Sequence, residues 1–381
     1  MRSQAHLTVH GTGQARGRFG AAYRVLQEAI KSRAFPGCAF GVLAGGQVVL
    51  EGALGCFTYE EDAPSVNAET VFDVASLTKV VAATAAAMLL VQRAQVDLDT
   101  PLGELLPGFV ARRAAGDSAR NVKLRHLLAH SSGLPGYVEF FRTTATPEAL
   151  LRACLELPLK AEPGVRAEYS DPGFILLGKA LETRMGEDLA GWLRREVFAP
   201  LGMASTGFCP EPAGRTSIPP TEEDRTFRHA IIQGEVQDEN AWVMKGVAGH
   251  AGLFSNVSDL LRFAASVLSV ATSNAAATNG EPQEKVHLFH RATVAEFARR
   301  QDPEGSSRAL GWDTPSENSS SGRHFGPHSI GHLGYSGCSL WIDLGAAVAV
   351  VLLTNRTWPD RQSQSIRTVR PAFHDAIREA L

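Results

Sequence analysis

Strand-like segments occur near both ends of the chain, and the long stretch between them reads as helical or irregular. Residues 38–55, CAFGVLAGGQVVLEGALG, are two apolar runs that meet at Gly45 and Gly46, the pattern of a β-hairpin with a glycine turn. Residues 335–342 and 346–354 form a second such pair around Asp343, Leu344 and Gly345. Strands this far apart in sequence bury their faces by entering one sheet. The expected fold class is therefore α+β: an antiparallel β-sheet built from both chain ends and flanked by helices, with an inserted, mostly helical domain. The expected boundaries are 18–84 with 324–381 for a discontinuous sheet domain, 85–323 for the insert, and 1–17 for a flexible tail.

Helical periodicity predicts an amphipathic helix over 19–34, with Ala22, Val25, Leu26 and Ile30 on one face. Further helices are expected at 124–128, at 174–185, from the capping residue Asn256 to 270, and at 366–381. Residues 271–285 and 316–323 are low in complexity and read as surface loops.

The stretch 72–93, FDVASLTKVVAATAAAMLLVQR, has no Gly or Pro from Leu77 onward and predicts a buried helix with Ser76 at its N-terminus. Positions i and i+3 share a helix face, so the Lys79 amine is expected beside the Ser76 hydroxyl. Val80, Val81, Ala82 and Ala83 supply an apolar wall that would discourage the ammonium, and a serine needs such a neighbour to lose its proton. The free N–H groups at the helix start favour an oxyanion. The spacing alone fits a capping serine with a solvated lysine equally well.

The 381 residues carry a net charge of −3 and contain 44% hydrophobic and 20% charged residues, with no basic cluster, so no nucleic-acid surface is expected. Cys38, Cys56, Cys154, Cys209 and Cys338 are scattered, and imply neither a disulfide framework nor a zinc knuckle. No run reaches the length of a membrane span and the first residues lack an apolar leader segment, which makes a cytoplasmic protein the expectation. His126 and His130 are spaced i, i+4 like zinc ligands, but HLLAH lacks the expected Glu. AHSSG and GYSGC both miss the Gly-x-Ser-x-Gly pattern of α/β-hydrolases. No metal or cofactor is expected.

Three islands follow one another along the chain: Ser76-Leu77-Thr78-Lys79, Tyr169-Ser170-Asp171 and His332-Leu333-Gly334. In order and context they resemble the serine β-lactamase and penicillin-binding-protein superfamily, and within it the branch of class C β-lactamases, D-Ala-D-Ala carboxypeptidases and family VIII carboxylesterases. Residues 124–136, 169–182, 197–208, 246–263 and 331–344 resemble family segments as well, so the likeness spans roughly 20–358. It implies that Ser76 is the acylated nucleophile, Lys79 its partner, and Tyr169 the phenol that shuttles the proton, its phenolate favoured by the Lys79 charge. His332 would face the nucleophile from a strand edge, Gly334 would let substrate approach the backbone, and the N–H groups of Ser76 and Tyr335 would form the oxyanion hole. Gly246, Gly249 and Gly252 would line the cleft.

Two departures bear on substrate. Asp171 stands where the family has Asn, and Leu333 where it has Thr or Ser, exchanging a donor for a carboxylate and removing a hydroxyl from the substrate-binding edge. With neutral His332 in place of Lys, the expected function is a serine hydrolase acting through an acyl-enzyme, preferring small neutral esters. The alternatives are a β-lactamase or D-Ala-D-Ala carboxypeptidase using the same machinery, and an inactive sensor or binding module. The expected partner is a small ester or β-lactam, with no nucleic acid and no membrane span; nothing in the pattern reads oligomeric state.

Overall fold

The structure, a computed structural model, describes residues 17–272, 287–301, 303 and 306–381. Residues 1–16 of the expected tail and 273–285 of the expected low-complexity loop lie outside the described residues. The strands are β1 (Gly37–Ala44), β2 (Gln47–Gly55), β3 (Phe72–Asp73), β4 (Gly207–Phe208), β5 (Glu222–Asp224), β6 (Ala230–Ile232), β7 (Leu253–Ser255), β8 (Ser329–Leu333), β9 (Ser339–Asp343) and β10 (Val348–Thr354). The main sheet runs β2-β1-β10-β9-β8 with every neighbouring pair antiparallel. The two chain ends thus meet at its centre, where β1 pairs with β10 from Cys38 opposite Thr354 to Ala44 opposite Val348.

Both faces of this sheet are covered. On one side Phe40 of β1 packs edge-on against Tyr23 of the helix Gly20–Lys31, with ring centroids 5.2 Å apart, and against Phe373 of the closing helix Ile366–Ala380 at 5.8 Å. On the other, the helix Val257–Thr272 lies so close that a Cβ on Gly41 would stand 2.5 Å from Val257 Cγ1. Asn256 caps that helix as expected, its Oδ1 accepting from the Asp259 N–H at 2.9 Å. A small sheet, β3-β7-β4, ties the segment before Ser76 to the strand that follows the glycine-bearing loop 246–252.

Several boundaries differ from expectation. The second hairpin is shorter: 334–337 is a turn closed by the Gly334 N–H on Cys338 O at 2.7 Å, and β9 starts only at Ser339. The five residues of β8, which lie ahead of that turn on the sheet edge, are too few to show a period of their own. Ser170 moves the start of the 174–185 helix to Asp171, because its Oγ accepts from the Gly173 N–H at 3.0 Å and Pro172 fits the first turn. The Ser76 helix opens with a π-helical turn over Lys79–Thr84 before becoming α-helical over Ala85–Gln92. No helix among the described residues is long and apolar enough to cross a membrane.

Candidate active site

Ser76 sits in a turn held from several directions. Ala75, just before it, has a left-handed φ of 47°, and its N–H donates to Asp73 Oδ1 at 2.8 Å. The other Asp73 oxygen accepts the Gln237 N–H at 2.7 Å, and burial raises this carboxyl to about 6. Thr78 Oγ1 donates to Ala75 O at 2.6 Å and accepts from the Leu253 N–H at 3.1 Å. A non-glycine residue held at positive φ is strained, and such strain persists where surrounding bonds fix the geometry.

Lys79 is fully buried, and its Nζ lies 3.1 Å from Ser76 Oγ, 3.0 Å from His250 O and 2.7 Å from Asp171 Oδ1. The Ser76 and His250 oxygens accept two protons of the ammonium, and the Asp171 carboxylate stands beside it as the ion-pair partner. Burial pushes its pKa down, but Asp171 and Tyr169 outweigh burial and the net direction is upward. The expectation that the apolar wall would discharge Lys79 is thereby corrected: Val80, Val81, Ala82 and Ala83 are buried around it, yet Asp171 supplies the counter-charge that keeps it an ammonium.

Tyr169 packs between several of these groups. The Lys79 Nζ stands 4.9 Å from its ring centroid, the His130 ring 4.5 Å and the His332 ring 5.9 Å. Burial drives the Tyr169 pKa up; Lys79 pulls it down, and Asp171 pushes it up again. The phenolate-favouring effect expected of Lys79 is thus offset, first by burial and then by the Asp171 carboxylate that pairs with the ammonium. His130 brackets this residue: its carbonyl accepts the Glu168 N–H at 2.8 Å and its Nδ1 the Ser170 N–H at 2.9 Å, from a left-handed φ of 56°.

On the facing edge, His332 Nδ1 donates to Leu333 O at 2.8 Å, which places the proton there and leaves Nε2 as a buried acceptor without a protein partner among the described residues. Burial, with Lys79 and Arg308 nearby, holds the imidazole neutral well below its ordinary pKa. Gly334 has a structural reason of its own, since a Cβ there would stand 2.4 Å from Val74 O on the segment leading to Ser76. Among the described residues neither the Ser76 N–H nor the Tyr335 N–H has an acceptor. Ser76, Tyr169, Asp171, His332, Leu333, Gly334 and Tyr335 all line one cleft of about 1250 Å³.

Sequence reasoning missed several residues of this site. Asp73 carried no motif that marked it; His130 lies in the family-like segment 124–136 but was given no role beyond its spacing to His126, whose Nδ1 is taken up by the Lys123 N–H at 3.2 Å. His250, whose carbonyl receives Lys79, is locked by a 2.8 Å contact from Nε2 to Asp238 Oδ1. Although burial works against it, that contact helps hold the Asp238 carboxyl below its ordinary pKa. Arg308 enters from a loop, its guanidinium 5.3 Å from the Tyr169 ring and its nearest carboxylate, Asp313, 3.9 Å away. No group of three or more His, Cys, Asp or Glu among the described residues is arranged to hold a metal ion.

An α+β fold whose sheet edge faces a serine and a buried lysine at a helix start is the β-lactamase and transpeptidase architecture. The profile of the Beta-lactamase family matches residues 23–370, and the chain belongs to that family of serine hydrolases, within the serine β-lactamase and penicillin-binding-protein superfamily. A protein of Salmonella typhi that bears the provisional name D-alanyl-D-alanine carboxypeptidase is 31% identical over 314 residues, covering 75% of this chain and 69% of the relative. In fold the chain is similar to EstCE1, a hydrolase with promiscuous acyltransferase activity, with a TM-score of 0.74 at 23% identity over 96% of this chain and 99% of that one. It is also similar to simvastatin synthase (LovD) of Aspergillus terreus, with a TM-score of 0.71 at 20% identity over 95% and 98%.

Proposed function

We propose that the protein is a carboxylesterase that hydrolyses small esters through a covalent acyl-enzyme on Ser76. The observation that carries this reading is the 3.1 Å contact between Lys79 Nζ and Ser76 Oγ at the floor of an open cleft. Ser76 Oγ attacks the ester carbonyl, and its proton passes into the unit formed by Lys79, Tyr169 and Asp171. Because Lys79 and Tyr169 both have raised pKa values, that unit gains its basic form as pH rises. Tyr169 then returns the proton to the leaving alcohol and later draws one from the water that frees the acyl group. The N–H groups of Ser76 and Tyr335 receive the oxyanion.

Neutral His332 and the apolar Leu333 support a preference for uncharged substrates. Asp171 supports it less than its charge alone suggests, since Lys79 neutralises it. A carboxypeptidase or β-lactamase reading is favoured by Arg308, whose donors reach the cleft with only a distant carboxylate partner. Rates on p-nitrophenyl butyrate, a chromogenic cephalosporin and a D-Ala-D-Ala peptide separate the two. The esterase reading expects the largest kcat/KM on the ester; an equal or larger value on the cephalosporin or the peptide contradicts it.

A further inference from the structure

Two buried guanidinium groups lie beneath the Gly334–Tyr335 turn without a carboxylate to balance them. Arg370, on the closing helix and 6% exposed, donates from Nη2 to Gly334 O at 2.6 Å and to Cys338 O at 2.8 Å, and from Nε to Gly337 O at 3.1 Å. Arg356, 5% exposed, donates from Nε to Tyr335 O at 2.8 Å and from Nη1 to Ser363 O at 2.9 Å and Arg361 O at 3.2 Å. Among the described residues all six acceptors are backbone carbonyls, and neither side chain forms an ion pair. Burial brings Arg370 down only to about 10, so it stays cationic at neutral pH.

Burying a charge with no counter-ion is costly, and neutral donors could satisfy carbonyls equally well. Arg370, however, is bonded to the oxygen of a peptide group that faces the cleft. Gly334 C=O and Tyr335 N–H belong to one peptide group, so a cation bonded to its oxygen draws electrons away from its N–H and makes that hydrogen a stronger donor. Like the Ser76 N–H, the Tyr335 N–H has no acceptor among the described residues and belongs to a residue that lines the cleft.

We propose that Arg370 is a positioning residue for the oxyanion hole, fixing and polarising the Gly334–Tyr335 peptide, while Arg356 holds the next carbonyl and adds a second positive charge behind it. The inference rests on the reading of Ser76 as nucleophile and of the Tyr335 N–H as an oxyanion donor. When Ser76 Oγ bonds to the ester carbon, the carbonyl π pair moves onto oxygen, and the Ser76 proton leaves to the basic form of the Lys79–Tyr169–Asp171 unit. The charge created on that oxygen is what a polarised Tyr335 N–H stabilises.

The test is the carbonyl stretching frequency of an acyl-enzyme formed with a slowly hydrolysed, carbonyl-labelled ester, read alongside kcat and KM. Arg370→Gln keeps a donor and loses the charge. Its stretch rises in frequency, KM moves little, and kcat falls roughly 10- to 100-fold, less than the ~10²–10³ lost when an oxyanion donor is deleted. Arg370→Lys, which keeps the charge, returns the stretch toward the wild-type position. A folded Arg370→Gln protein acylated on Ser76 with wild-type stretch and kcat overturns the proposal while leaving the esterase reading intact. Should Arg370→Gln fail to fold, Arg356→Gln tests the second charge, with the Arg370 bond to Gly334 O left in place: a smaller rise in the stretch supports the proposal and an unchanged stretch overturns it. Absence of any acyl group on wild-type Ser76 overturns the parent reading and this inference with it.

Discussion

Replacing Asp171 by Asn removes the carboxylate 2.7 Å from Lys79 Nζ and tests how the proton unit is poised. Asp171 raises the pKa of Lys79 and also that of Tyr169, so its loss lowers both. The basic form then appears at lower pH, and the rising limb of the kcat/KM profile on a neutral ester moves toward acid. An unmoved limb, or one displaced toward alkali, contradicts this electrostatic account. Asp73 gives a second pH effect, on stability. Its folded pKa, pushed up to about 6 by burial, exceeds the ordinary 3.8, so the folded state binds its proton more tightly than the unfolded state does. The resulting stability is full below pH 3.8 and is lost as pH rises through 6. Relative to Asp73→Asn, which does not titrate, the wild type should gain about 2 kcal/mol on going from neutral pH to about 4. Urea unfolding of both proteins across that range measures it; a constant difference between them contradicts it.

At the scale of elements, the turn after β8 and the segment before Ser76 approach so closely that only glycine fits at 334. Gly334→Ala should cost about 1–3 kcal/mol of stability, as overpacked sites do, and lower kcat more than KM by pushing His332 and Tyr335 away from Ser76. A variant with wild-type stability and kcat would show that the contact yields easily. The elements that were legible in the sequence share a cause: residues 38–55, 124–128 and the helix after Asn256 carry strong local patterns or caps. The closeness of Ser76 and Lys79 was legible for the same reason, since an i, i+3 pair on a helix needs no tertiary information, whereas their expected roles rested on the resemblance carried by all three islands. The π turn was not legible, because it is a change of hydrogen-bond register within an apolar run that reads equally well as α-helix. His130, His250 and Arg370 were not legible either. They act through backbone carbonyls or amides from segments distant in sequence, and a chain read alone shows no such contacts.

For the whole molecule, the sheet domain proposed at 18–84 with 324–381 joins its two halves through Phe40, which stands between Tyr23 and Phe373. Phe373→Ala removes a fully buried ring and should cost about 3–5 kcal/mol. Because the helix Val257–Thr272 of the proposed insert packs directly on Gly41, the loss should appear in one cooperative transition. Circular dichroism and tryptophan fluorescence should then give coincident unfolding curves. Separate transitions would show that the insert is held independently of the sheet.

The central claim, that one serine beside one buried lysine carries the chemistry, is tested most directly by covalent labelling with a fluorophosphonate followed by peptide mapping. The label should fall on the peptide containing Ser76 and nowhere else, and Ser76→Ala should abolish both labelling and ester hydrolysis, a loss on the order of 10⁴-fold or more. A label mapped to Ser131 or Ser336, or hydrolysis that survives in Ser76→Ala, would contradict it.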